Sequence, residues 1–540
     1  PRRQPQDGLI TWSHGAETVD NWTRGLTDPY PGAYTFFDGG KLTVDNLRFG
    51  VPAEDKLFDS EVPTHKIRVT LDGEEYELYA MKGIPLRFRG FFRRFDASIQ
   101  FSNIGNLRSS WRVVNVNDPV DIQAFENIGQ LTSAELNYRA VNGAERDIEI
   151  YYPPDNLTVL SLPNITMSEL PLTTLPNLNV LNIRLNDFKE MPDISAFSPT
   201  VNQLNLSRNP LYLSGDEELR KFNSAVASRI PSTVSELTMF GTFFGSIETD
   251  VASDGTYTSV IEDRLPSLRV LNLSRGGGAY FSPDNEDPDG YLPTVPDTCE
   301  YYLVSDNDFR SIPPNGVLQL PNLVRFDVSG NDSLSDSTFE TAGFASDQIQ
   351  SVNISSTGLK LPNLQNKDQL SSLSLTNTAS ASFYVDDSQE GTYKLLGCPS
   401  LSSVDISGSG VSGFIPKFRG NSNLSNFSAS PAYGLTGGRP ANGEHGYPNG
   451  DEFVLFKDTF DDCRSRLTSF SVRSDNLLLE RGFEDGTFRN MPRLQTLYWE
   501  SSGRTGGEDP TITLPDMSSC PSLRNFSLPN NNFSGSGPQF

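Results

Sequence analysis

One spacing recurs from about residue 157 to the end of the chain: an apolar residue, a second three positions on, a third two after that, and often Asn three beyond. It reads as Leu178, Leu181, Ile183, Asn186; as Val201, Leu204, Leu206, Asn209; as Leu323, Phe326, Val328, Asn331; and as Leu523, Phe526, Leu528, Asn531. The second and third apolar positions alternate with outward residues as a strand requires, and the first turns inward to close a coil. One such unit cannot bury its own wedge, so units must stack, with their strands forming a parallel sheet along one side. The Asn amide carries two donors and an acceptor and can satisfy backbone groups where the chain leaves the strand. Asn186, Asn209, Asn307, Asn331 and Asn531 are therefore expected to be structural.

A second signature accompanies the first. Strands are entered through Leu175-Pro176-Asn177-Leu178, Leu265-Pro266-Ser267-Leu268, Leu320-Pro321-Asn322-Leu323, Cys398-Pro399-Ser400-Leu401, Met491-Pro492-Arg493-Leu494 and Cys520-Pro521-Ser522-Leu523. Proline there ends the preceding segment and turns the chain toward extended geometry. Together the two signatures resemble the leucine-rich repeat, L-x-x-L-x-L-x-x-N, over about fourteen passes with a period of about 21 to about 43 residues. The expected fold is α/β but β-dominated, a leucine-rich-repeat solenoid with its parallel sheet on the concave face. The last repeat breaks off near Asn531, where a solenoid would ordinarily close with a polar cap, so a fragment of a longer polypeptide is expected.

The formal charge of −25 over 540 residues disfavours nucleic acid as a partner. The sequence holds no apolar run of about 18 residues, so no membrane span is expected, and its first residues do not read as a signal peptide. The four cysteines, Cys299, Cys398, Cys463 and Cys520, are spaced for neither a zinc cluster nor a disulfide framework and read as small buried hydrophobes. No cofactor is implied.

The amino-terminal residues follow another pattern. Gln4-Pro5-Gln6-Asp7-Gly8-Leu9-Ile10-Thr11-Trp12, an amphipathic stretch through Ala16, Val19, Trp22 and Leu26, and Pro29-Tyr30-Pro31-Gly32-Ala33-Tyr34 resemble the start of the carboxy-terminal domain of formyltransferases. That resemblance implies an open barrel, and an enzyme domain upstream. The family's catalytic Asn, His and Asp motif has no counterpart among the residues present, so no catalytic residue is assigned and these residues read as non-enzymatic. Three regions are expected: 1–60, formyltransferase-like; 61–155, β-rich or a continuation of the barrel, with Asp72-Gly73 marking a hairpin; and 156–540, the solenoid. Arg87, Phe88, Arg89, Phe91, Phe92, Arg93 and Arg94 concentrate basic and aromatic residues, read as a half-buried strand with solvated or ion-paired arginines rather than a nucleic-acid strip.

Function is expected on the concave sheet, with Asn182, Arg184, Phe240, Asn272, Tyr301, Asp327, Asn353, Asp405 and Tyr498 as candidate binding residues. Such a small, polar surface suits a protein or a cell-surface glycan. Trp499 falls on an inward position and reads as core. Asp284, Glu286, Asp287 and Asp289 group hard oxygen ligands but lack the spacing of a calcium loop, and read as a solvated excursion. Asn-x-Ser/Thr triplets such as Asn272-Leu273-Ser274 arise from the repeat itself and do not read as glycosylation sites. The style of the amino-terminal third, joined to a loose solenoid, is similar to virion proteins of large tailed phages. A virion or cell-surface location is therefore expected over the cytoplasm, in a tail or baseplate or in adhesion. The alternative is the recruiting part of a formyltransferase fusion.

Overall fold

The computed structural model describes the backbone of ten strands between residues 33 and 151. From residue 157 on it describes 157–164, 167–170, 174–211, 222–242, 247–276, 290–313, 316–378, 394–410, 418–430, 459–474, 486–501 and 516–529, plus 412–413, 415, 434–435, 512–513 and 533–534. The chain divides into two compact units, Pro1–Ser246 and Ile247–Phe540. The amphipathic stretch through Ala16, Val19, Trp22 and Leu26, the acidic excursion at 284–289 and Asn531 lie outside the described residues.

In the first unit, β1 (Ala33–Phe37), β2 (Gly40–Phe49), β3 (Thr64–Leu71) and β4 (Glu74–Met81) form an antiparallel sheet in the order β1-β2-β4-β3. Leu71 faces Glu74 across Asp72-Gly73, the register of the expected hairpin. This sheet spans residue 60. Strands β5 (Leu86–Phe92), β6 (Phe95–Phe101), β7 (Arg108–Asn115), β8 (Asp118–Ile128), β9 (Ser133–Tyr138) and β10 (Ala144–Tyr151) follow. β5, β10, β7 and β8 pair in that order, and the register sets Arg87 opposite Glu149 and Arg89 opposite Asp147. β6 and β9 pair with each other, and β6 lies antiparallel along β11 (Leu157–Ser161), the first solenoid strand. An antiparallel pair thus covers the edge that a parallel stack would otherwise leave open. β12 (Val180–Asn182), β13 (Gln203–Asn205) and β14 (Glu236–Thr238) continue from β11 in parallel, in register.

The second unit opens with a hairpin, β15 (Thr249–Val251) and β16 (Tyr257–Ser259). Then come β17 (Val270–Asn272), β18 (Tyr301–Leu303), β19 (Arg325–Asp327), β20 (Ser351–Asn353), β21 (Ser372–Ser374), β22 (Ser403–Asp405), β23 (Ser412–Gly413), β24 (Asn426–Ala429) and β25 (Gly434–Leu435). The last are β26 (Ser469–Ser474), β27 (Thr496–Ser501), β28 (Ile512–Thr513), β29 (Asn525–Ser527) and β30 (Phe533–Ser534). β23 pairs with β25 and β28 with β30, while the others from β17 to β29 form one parallel sheet. In the three-residue strands β12–β14 and β17–β22 the central residue is buried, and Leu181, Leu237, Leu271, Tyr302 and Phe326 are fully so. At about 1.5–3 kcal/mol for each buried aliphatic or aromatic side chain, the three apolar positions of a coil supply the main stabilisation.

The Asn ladder forms as the repeat demands. Asn331 Nδ2 donates to Val304 O at 3.0 Å and Val328 O at 2.7 Å, and its Oδ1 accepts from Phe309 N at 3.1 Å. Asn186, Asn209 and Asn307 each donate to the same two classes of carbonyl, one in their own coil and one in the coil before. Thr242, Thr357 and Thr378 occupy the equivalent place, and each hydroxyl donates to one carbonyl only. The slot is therefore defined by a donor, not by asparagine alone.

The residue just before this slot is left-handed in nine coils: Leu185, Arg208, Gly241, Arg275, Asp306, Gly330, Ser356, Asn377 and Gly408, with φ between 53° and 70°. The tight exit from the strand requires it. Glycines here also make room for the coil before. A Cβ on Gly330 would sit on the Asp306 carboxylate, and one on Gly408 on the Asn377 amide oxygen.

Five of the six Pro-containing entries, those closing at Leu178, Leu268, Leu401, Leu494 and Leu523, are hydrogen-bonded four-residue turns. Leu268 N donates to Leu265 O at 3.0 Å, and Leu401 N to Cys398 O at 3.1 Å, with proline at the second position where its fixed φ suits the turn. The four cysteines are free and buried. Cys398 and Cys520 donate to Leu364 O and Phe488 O of the preceding coil. Burial pushes the Cys299 and Cys463 thiols up to about 12 and Cys398 to about 11. Among the described residues one cation is buried, Lys394 at 2% exposure, whose Nζ lies 2.6 Å from Glu340 and donates to Leu361 O. Nothing in the periodicity pointed to it.

Candidate functional site

Strand register arranges the outward strand residues in columns. In the second unit the first column runs Val270, Tyr301, Arg325, Ser351, Ser372, Ser403, Asn426, Ser469, Thr496 and Asn525. The central column runs Asn272, Leu303, Asp327, Asn353, Ser374, Asp405, Ser428, Ser471, Tyr498 and Ser527 in the same pairings. In the first unit Asn182 pairs with Asn205, and Asn205 with Thr238.

The central column has a local task. Asn182, Asn205, Asn272, Asp327, Asn353 and Asp405 each accept, through Oδ1, the backbone N–H two residues on, at 3.0–3.3 Å. This Asx turn closes the strand and launches the left-handed residue that follows. In five of these six coils the N–H belongs to a serine: Ser207, Ser274, Ser329, Ser355 and Ser407. Ser207, Ser274, Ser355 and Ser407 in turn accept the N–H of Phe240, Ser305, Thr376 and Ser430 in the next coil. Asn205-Leu206-Ser207, Asn272-Leu273-Ser274 and Asn353-Ile354-Ser355 are thus strand-closing triplets.

The expected binding residues divide accordingly. Asn182, Asn272, Asp327, Asn353 and Asp405 are half-buried and hold the turn; Phe240, Tyr301 and Tyr498 are also half-buried but hold no such turn, and Arg184 is exposed. Arg208 stacks its guanidinium over the Phe240 ring at 5.6 Å. Tyr498 donates its hydroxyl to Glu500, and that bond raises the tyrosine's pKa. Arg473 lies 3.4 Å from the same Glu500 oxygen. Trp499 is fully buried, as its inward register requires. Arg325, Leu303 and Arg473 were not among the expected residues, although the repeat spacing alone places all three outward. Among the described residues no helix is long and apolar enough to cross a membrane, and no group of His, Cys, Asp and Glu side chains could hold a metal ion.

Three resemblances to known proteins accompany this geometry. Residues 2–67 match the formyl transferase C-terminal domain. The structure is similar to that of the Arabidopsis receptor kinase HAESA, solved in complex with the peptide hormone IDA and a co-receptor. Identity is 21% and the TM-score 0.43, over 67% of this chain and 52% of that one, so this chain spans about half the receptor's length. It is also similar to a leucine-rich-repeat protein of Leptospira interrogans, at 15% identity and a TM-score of 0.32, over 62% of this chain and 76% of that one. Independently of these likenesses, the in-register parallel strands, the Asn ladder and the strand-closing turns make each stack a solenoid of short coils.

Proposed function

We propose that this chain is a non-enzymatic binding protein whose concave sheet takes a polar protein or glycan surface. The observation that supports the reading is the make-up of the outward columns. A floor of Ser, Thr and Asn carries a few large side chains, Arg184 and Phe240 in one unit and Tyr301, Arg325, Arg473 and Tyr498 in the other. Interfaces draw their energy from such isolated aromatic and arginine anchors, while small polar neighbours exclude water and match shape. The charge of −25 speeds encounter with cationic partners over anionic ones.

The test is capture by the whole chain of glycans on an array and of proteins on intact cells. Asn353→Arg and Tyr498→Ala should weaken capture at least tenfold, and Gln319→Ala, in the Val317–Gln319 turn away from the sheet, should not. Equal losses in all three variants would refute the concave reading. Absence of capture by a folded sample would favour a scaffold, as in a virion tail or baseplate.

The match over residues 2–67 favours a second reading, in which an open-barrel module serves a formyl-transferring enzyme and the solenoid recruits its partner. Formyl-transfer assays on the full-length gene product would decide for or against it.

A further inference from the structure

Within the second unit, apolar side chains on the concave columns gather at one place. Val270 of β17 pairs with Tyr301 of β18, and Leu303 lies two residues along the same face of the same strand. All three are half-exposed. From β19 to β24 the same columns hold Arg, Ser, Asn and Asp only, so this patch is distinct from the floor beyond it.

Its border is composed of ion pairs that neutralise themselves. Arg269 lies 3.0 Å from Glu300, just before the two strands begin. Arg275 lies 3.3 Å from Asp306, just after they end. On the next strand Arg325, beside Tyr301, lies 3.5 Å from Asp327, beside Leu303. Each cation already faces an anion of its own chain. A charged group set on the patch would lose hydration and gain no unmatched partner, whereas an uncharged apolar group would gain burial against Leu303 and Val270 and ring contact with Tyr301. Sugars stack on aromatic faces but also need polar groups beneath them, and the polar residue set within this patch, Asn272 opposite Leu303, already has its Oδ1 engaged by the Ser274 N–H.

We infer that the Val270–Tyr301–Leu303 patch is the anchor point of the concave face, taking an uncharged aliphatic or aromatic side chain of a protein partner. The inference rests on the concave-face reading and narrows it, since it selects a polypeptide over a glycan at this position. The closed ion pairs form the polar rim that shields such an anchor from water.

The probes are acetylated, amidated pentapeptides Gly-Gly-X-Gly-Gly, with X as Leu, Phe, Ser, Asp or Lys, offered at millimolar concentration to the whole chain and followed by saturation-transfer NMR. Transfer to the Leu and Phe side chains at least about fivefold stronger than to Ser, Asp and Lys is expected. Leu303→Ser should abolish the difference, and so should Tyr301→Ser, which serves as an independent variant if the first alters folding. No preference among the five peptides, or a preference untouched by both substitutions in folded protein, would overturn the inference. Capture of glycans or cells that is sensitive to Asn353→Arg but not to Leu303→Ser would leave the concave reading standing and remove only the anchor.

Discussion

Gly330 tests how one coil constrains the next. It stands in the left-handed slot that follows β19, with φ of +69°, and its N–H donates to Ser355 O of the following coil at 2.8 Å. In Gly330→Ala, a side chain in this region costs roughly 1–2 kcal/mol. The new Cβ would also overlap the Asp306 carboxylate oxygen and press at 3.2 Å on the Asp306 Cα and backbone nitrogen. The carboxylate can swing away, giving up an exposed pair with Arg275 worth at most about 1 kcal/mol. The backbone contact cannot be relieved without moving a coil, an overpacking cost of about 1 kcal/mol or more. The sum is about 3 kcal/mol. Gly255→Ala is the control, because Gly255 also has positive φ, +85°, and a Cβ there would meet nothing within 4 Å. It should lose only the conformational part. Urea unfolding of both variants, with hydrogen exchange of residue 330 to localise the effect, measures the difference. If the two destabilisations agree within about 0.5 kcal/mol, the contact between coils is not what reserves this position for glycine.

Asn331→Ala removes two donations and one acceptance in a fully buried slot and should cost about 2–4 kcal/mol by urea unfolding, whereas Asn331→Thr, copying Thr357 and Thr378, should recover part of it. Lys394→Ala should destabilise by about 2 kcal/mol in the same assay, less than the ~3–5 of a fully enclosed pair because Glu340 keeps Lys360 at 3.2 Å. Burial raises the Glu340 pKa, but the bonds and charges of Lys394 and Lys360 outweigh it and hold the carboxyl below its ordinary 4.5. Its contribution is therefore complete above about pH 4.5 and lost as pH falls through the lower folded value, and an acid titration of stability should be shallower in Lys394→Ala. All four cysteines should resist a thiol reagent at pH 8 in the native protein and react in denaturant, since they are buried and their thiolates disfavoured; rapid native labelling would contradict this packing.

Periodic apolar spacing was enough to specify the coil, the parallel sheet and the inward or outward sense of most described residues in the solenoid strands. Leu181 and Trp499 are buried for the reason their spacing implies, since side-chain direction along a strand has a period of two whatever lies around it. The ladder role of Asn186 and Asn331 was equally legible, because only a donor can meet carbonyls at that turn. Other features depend on which side chain of one coil lies over which backbone atom of the next, a relation across 20 to 40 residues that no local pattern encodes. Stacking decided that Thr242 substitutes for asparagine, that Gly330 must leave room for Asp306, and that Lys394 meets Glu340 inside the array. It also decided that Asn272 and Asn353, outward by spacing, spend an oxygen on closing their own strands, while Val270, Tyr301 and Leu303 come together as one apolar patch between ion pairs. Spacing assigns a side chain its face; only the neighbouring coil determines whether what it meets there is solvent, a backbone amide or another side chain.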